Sequence, residues 1–111
     1  MTGPGPAGTV VEVLEFRIEP ELLDRWLEIE RDVWTGFLVG RPGFVHKQVW
    51  TDADDPGAVS VVIWWATREQ WKRITAAQVA AVDARMGPWF RAGSLREHRV
   101  RAAWEPHPEG G

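Results

Sequence analysis

The run Val59-Ser-Val-Val-Ile-Trp-Trp65 constrains this chain more than any other stretch. A turn cluster, Asp52-Ala-Asp-Asp-Pro-Gly57, precedes it, and a capping signal, Thr67-Arg-Glu-Gln70, follows it. Its β-branched and aromatic content reads as a strand, and it is apolar at both parities. Such a strand belongs in a sheet that is covered on both faces. The rest of the chain decides what can cover it.

Thr9–Ile18 alternates as a strand, with Val10, Glu12, Leu14, Phe16 and Ile18 on one face and Val11, Val13, Glu15 and Arg17 on the other. Pro20 opens a helix, and Leu22, Trp26, Ile29, Val33 and Phe37 recur along it at steps of three and four. Gly40 and Pro42 end that helix, and Phe44–Trp50 reads as the second strand. After the third strand, capping boxes at Thr67 and Thr75 predict a short helix over about 68–74 that bends into a longer one over about 76–86. Trp71, Ile74, Val79, Val82 and Met86 mark its buried side, Gly87-Pro88 stops it, and Ser94–Trp104 reads as the fourth strand. Residues 1–8 and 105–111 are rich in Gly and Pro and are expected to be disordered tails around one domain over 9–104.

The order β-α-β-β-α-β predicts an α+β, ferredoxin-like fold: a four-stranded antiparallel sheet with both helices on one face. Two helices on one side leave the other side of the third strand bare. A second copy of the same sheet would cover it, so a homodimer joined through the sheet faces is expected. The alternative is a monomer that tolerates an exposed Val62 and Trp64.

Composition excludes several function classes. With no cysteine there is no disulfide, thiolate metal site or cysteine nucleophile. A net charge of −3 argues against nucleic acid as a partner. The longest apolar run, Ala58–Ala66, is too short to span a bilayer. The first residues lack the basic start and apolar middle of a signal peptide, so a cytoplasmic location is expected.

Arg41-Pro-Gly-Phe44 entering the second strand, the Asp55-Pro56 turn and the third strand ending Trp65-Ala-Thr-Arg-Glu-Gln-Trp71 resemble the dimeric α+β barrel proteins. Within them the chain is similar to the antibiotic-biosynthesis monooxygenase (ABM) branch. It looks closest to a small ABM-like family carrying runs such as Val10-Val-Glu-Val-Leu-Glu-Phe16, Trp34-Thr35 and Lys47-Gln-Val-Trp50. The resemblance spans Val10–Trp104 and implies the dimeric barrel fold; its chemistry ranges over cofactor-free oxygenases, haem-degrading enzymes, isomerases and cyclases. Two departures matter. The haem-degrading branch ligates iron through a histidine on the second helix, and residues 68–86 contain none. The anthrone-type oxygenases use a tyrosine, and this chain has none.

Eight tryptophans make the chain unusual. Trp34, Trp65 (placed by the resemblance on the helix-facing side) and Trp89 come from separate segments and are expected to line a cleft for a flat, apolar ligand. The competing reading is that they only fill the core. Glu12 shares the helix-facing parity, where desolvation would raise its pKa toward the range of a general base. Alternatively its head reaches water at the strand's start. Glu30, four residues from both Trp26 and Trp34, and His98, mid-strand, are further candidates for contact with a ligand. His46 shares the parity of Phe44, Gln48 and Trp50 and is the second candidate for proton transfer. No spacing supports a metal site, and no cofactor is called for.

These features favour a small-molecule enzyme that abstracts a proton from a flat hydrophobic substrate, and the resemblance implies an aromatic- or polyketide-like substrate of secondary metabolism. Such an enzyme could be a cofactor-independent monooxygenase, an isomerase or a cyclase, with Glu12 and His46 as its acid–base groups. The alternatives are a non-catalytic carrier of an apolar ligand such as haem, or a structural dimer.

Overall fold

The computed structural model describes residues 5–107; the ends of both expected tails, 1–4 and 108–111, lie outside the described residues. Four strands, β1 (Val10–Arg17), β2 (Phe44–Thr51), β3 (Ala58–Trp65) and β4 (Ser94–Arg99), form one antiparallel sheet in the order β2-β3-β1-β4. Helices connect β1 to β2 and β3 to β4, which is the ferredoxin-like arrangement that the sequence pattern predicts.

The first connection is not the uniform helix expected from the three-and-four spacing. Pro20–Leu22 forms a 3-10 turn, α1 covers Leu23–Glu30, a π turn covers Arg31–Thr35, and α2 (Gly36–Leu38) closes the run. Residues five apart on a regular helix point about 140° away from each other. The wider π turn brings such a pair closer, and here it lets Thr35 reach the carboxylate of Glu30 at 3.4 Å.

The second connection follows its caps. In α3 (Arg68–Lys72) the Thr67 hydroxyl accepts from the Gln70 amide. In α4 (Ala76–Arg85) Thr75 and Gln78 satisfy each other's backbone reciprocally, so the helix restarts at Thr75 instead of running on. Gly43, in the segment Arg41–Phe44, has φ +86°, and a Cβ there would collide with the Gln70 side chain. Glycine therefore lets β2 enter directly beneath α3.

Two expectations about strands are corrected. β4 ends at Arg99 and not at Trp104, because its only partner is β1, which begins at Val10 opposite Arg99. Bonds from Val100 N–H to the Thr9 carbonyl and from Gly8 N–H to the Val100 carbonyl carry the pairing slightly further, and Trp104 lies exposed beyond it. In β2, Phe44 opposes Trp65 and His46 opposes Trp64, so Val45 is the extra residue of a β-bulge. The bulge resets the parity. Phe44, Lys47 and Val49 face the helices, whereas His46, Gln48 and Trp50 face the opposite side.

The core lies between the sheet and the helices. Val10, Val59, Val61, Ile63 and Trp65 meet Trp26, Val33, Leu38, Trp71, Val82 and Met86. The other face carries Val11, Val13, Val62 and Trp64. Val62 is only 1% exposed within the single chain, which corrects the expectation that a monomer leaves it bare; Val13 and Gln48 flank it on the neighbouring strands. Among the described residues, no helix is long and apolar enough to cross a membrane.

Candidate functional site

A cavity of about 600 Å³ opens between the sheet and the helices. Its floor is Glu12, Leu14 and Phe16 of β1 with Val61, Ile63 and Trp65 of β3, and its roof includes Trp26, Trp34, Val79 and Asp83. The size suits a small organic ligand, and the flat indole and phenyl walls suit a flat one.

Glu12 is the acid of the floor. Antiparallel pairing sets it opposite Ile63 and Glu97 on the helix-facing side, and it is buried. The Trp65 indole N–H donates to its Oε1 at 3.1 Å. Desolvation by burial raises its pKa above the usual 4.5; the Trp65 hydrogen bond and the charges of Lys72 and Lys47 oppose that rise without cancelling it. Its other oxygen has no hydrogen-bond partner among the described residues.

Behind the cavity, Lys47 donates to Glu30 Oε2 at 2.6 Å and to Thr35 Oγ1 at 2.7 Å. Both charged side chains are nearly out of water, at 6% and 8% exposure. Burial lowers the Lys47 pKa, and the Glu30 carboxylate partly restores it. The π turn makes this cluster possible by setting Thr35 beside Glu30.

On the roof, the Trp34 indole N–H donates to Asp83 Oδ1 at 2.9 Å. Burial raises the Asp83 pKa, against the effect of that bond. At the cavity wall, Lys72 Nζ sits 3.9 Å from the centre of the Trp71 ring.

The structure thus brings Glu12, Glu30, Trp34 and Trp65 to one cavity. Trp89 instead packs against the core, and its neighbour Phe90 lines the cavity. The two histidines go elsewhere. The β2 bulge turns His46 to the opposite face, where its ring meets Trp64 at 5.3 Å and its Nε2 lies 3.0 Å from the Gln48 amide. His98 opposes Val11 on that same face. The expectation that His46 and His98 share a cleft with Glu12 is therefore corrected. Among the described residues there is no cluster of three potential metal ligands.

Sequence reasoning missed Lys47 and Asp83 as site residues. Lys47 shares its parity with Val45 and Val49, a cation on an apolar strand face. Asp83 falls four residues after Val79 and three before Met86, on the stripe of α4 that lines the cavity, where Val79, expected to be buried, is 37% exposed. Both signals are polar residues at apolar positions.

A family profile described as antibiotic biosynthesis monooxygenase matches residues 9–80. No curated protein matches the chain. Among solved structures, SnoaB, a cofactor-independent oxygenase from Streptomyces nogalater, superposes with a TM-score of 0.63 at 15% identity, covering 92% of this chain and 99% of that one. A protein named for the same family from Caulobacter crescentus gives 0.62 at 19% identity, covering 88% and 92%. A conserved protein from Methanosarcina mazei gives 0.64 at 9% identity, covering 86% and 95%. At these identities the likeness concerns the fold.

Proposed function

Because the chain belongs to the antibiotic biosynthesis monooxygenase family, we propose that it is a small-molecule enzyme that removes a proton from an acidic carbon of a flat, hydrophobic, aromatic- or polyketide-like substrate, with Glu12 as the base. The observation that carries this reading is Glu12 itself. It is a buried carboxylate on the floor of an apolar cavity, with a raised pKa and one oxygen held by an indole. A base whose pKa is raised toward neutrality takes a proton from carbon more readily than an ordinary carboxylate.

In this reading the C–H proton passes to the free oxygen of Glu12, and the electron pair delocalises into the substrate's enolate. Lys72 lines the cavity, its charge acts on Glu12, and it makes no close ion pair among the described residues, so its ammonium is available to the developing negative charge. Dioxygen then takes electrons from the carbanion. Overall a methylene carbon becomes a carbonyl, one oxygen atom is retained and the other leaves as water, with the substrate supplying all the electrons. The likeness to a cofactor-independent oxygenase supports this route. Return of the proton at another carbon would make the same site an isomerase.

Anthrone, a flat carbon acid, serves as the probe. Under anaerobic conditions in deuterated buffer, the wild type should accelerate exchange of its methylene protons. Glu12→Gln should lose about 100-fold or more of that rate, while His46→Ala keeps it. In air the product is anthraquinone plus water. Full exchange activity in Glu12→Gln would overturn the assignment. A carrier protein would bind the probe without accelerating exchange in any variant.

We also assign the open sheet face to a second copy of the chain. Trp50 is 49% exposed there, beside Trp64 at 6.5 Å between ring centres. Sedimentation should give about twice the 12.6 kDa chain mass, and Trp50→Asp should return the monomer. A wild-type monomer at micromolar concentration would contradict this.

A further inference from the structure

We propose that Asp83 is a second ligand-binding group of the cavity, held in place by the Trp34 indole, and that it selects ligands carrying a hydroxyl on the edge that faces the helices. The inference rests on the proposed reading of the cavity as the substrate site. Asp83 stands half-buried on the stripe of α4 that lines the cavity, between Val79 and Met86, in a wall that is otherwise largely apolar. Partial burial against apolar walls favours a partner for each of its oxygens. One is satisfied: Trp34, delivered by the π turn 49 positions earlier in sequence, donates to Oδ1 at 2.9 Å. The other has no hydrogen bond and no cation among the described residues.

The floor repeats the arrangement. There Trp65 holds one oxygen of Glu12 and leaves the other free. The cavity therefore has two acid–indole pairs, one on the sheet and one on the helices, each with an unused acceptor. A flat ligand that donates a hydrogen bond at both ends satisfies both. A ligand with one donor leaves one of the two acceptors unpaired and loses that contact. Trp34 acts through Asp83 and is a positioning residue.

The test compares 2,6-dihydroxyanthraquinone, with a donor at each end, with 2-hydroxyanthraquinone, with one. Affinities are read from quenching of tryptophan emission, at a pH where both phenols are neutral. The wild type should prefer the dihydroxy probe by about tenfold or more, the scale of one hydrogen bond to a charged group. Asp83→Ala should lower the affinity for the dihydroxy probe until the two probes bind alike, and Asp83→Asn, which keeps an acceptor oxygen, should restore part of the preference. Trp34→Phe should reduce the preference without removing it. A preference unchanged in Asp83→Ala would overturn the proposal and leave the cavity reading intact. So would equal weakening of both probes, which marks a structural role. If neither probe binds the wild type, the cavity reading itself falls and the proposal with it.

Discussion

The two faces of this sheet are built from the same four strands and treat polar groups in opposite ways. On the helix-facing side the acids and the lysine have specific partners: Lys47 with Glu30 and Thr35, Glu12 with Trp65, and the half-buried Asp83 with Trp34. On the open side the polar groups form a shallow chain along one strand, Trp50 Nε1–H to Gln48 Oε1 at 2.8 Å and Gln48 to His46 at 3.0 Å. The first pattern surrounds a cavity and shifts pKa values. The second keeps its groups near water and beside aromatic rings. The proposed chemistry is assigned to the face where desolvation is strong, and the proposed association to the face where rings remain exposed.

The largest expected contrast is in stability. Lys47→Ala leaves Glu30 buried and unpaired and should cost about 3–5 kcal/mol. His46→Ala, on the open face, removes a ring contact and should cost at most about 1.5 kcal/mol. Denaturant unfolding of the two variants measures both. Equal costs would erase the distinction between the faces.

A smaller effect tests the roof alone. Thr75→Ala removes the reciprocal cap of α4 and should cost about 0.5–2 kcal/mol. Ala76, Val79 and Ala80, in the first turns of that helix, line the cavity. Probe binding should therefore weaken while the sedimentation behaviour stays that of the wild type. A change in assembly with unchanged binding would reverse the roles given to the two faces.

The smallest effect has the most informative sign. The pKa of Glu12 is higher in the folded chain than its ordinary 4.5. As pH rises, the unfolded chain loses this proton first, so ionisation favours unfolding through the interval up to the folded-state value. Glutamine has no proton to lose. Glu12→Gln should thus be more stable than the wild type at pH 8, and the gap should close below pH 4.5. Urea titrations across that range check it; a variant less stable at every pH would contradict it.

Much of the fold was legible in the sequence because its signals are local. The alternation of Val10–Phe16, the paired caps at Thr67 and Thr75 and the doubly apolar β3 each act within a few residues. The site was legible only where parity ran undisturbed. Glu12 sits on a regular strand and its parity puts it on the correct side; Trp65 is placed there by the family resemblance. His46 was misplaced because one extra residue, Val45, inverts everything after it, and no composition marks a bulge there. The π turn at Arg31–Thr35 was hidden for a similar reason: its apolar stripe suits an α-helix, and only the tertiary pairing of Thr35 and Glu30 with Lys47 reveals the wider turn. The shortened β4 depends on where its neighbour begins, a fact of pairing and not of its own residues.

The claim that the helix-facing side holds the reactive group is tested most directly by titrating Glu12 itself. Carbon-13 NMR of the side-chain carboxyl, assigned by comparison with Glu12→Gln, gives its pKa in the folded protein. The account predicts a midpoint clearly above 4.5, raised by burial, that moves again when 2,6-dihydroxyanthraquinone fills the cavity. A midpoint at or below 4.5, unmoved by the ligand, would contradict it.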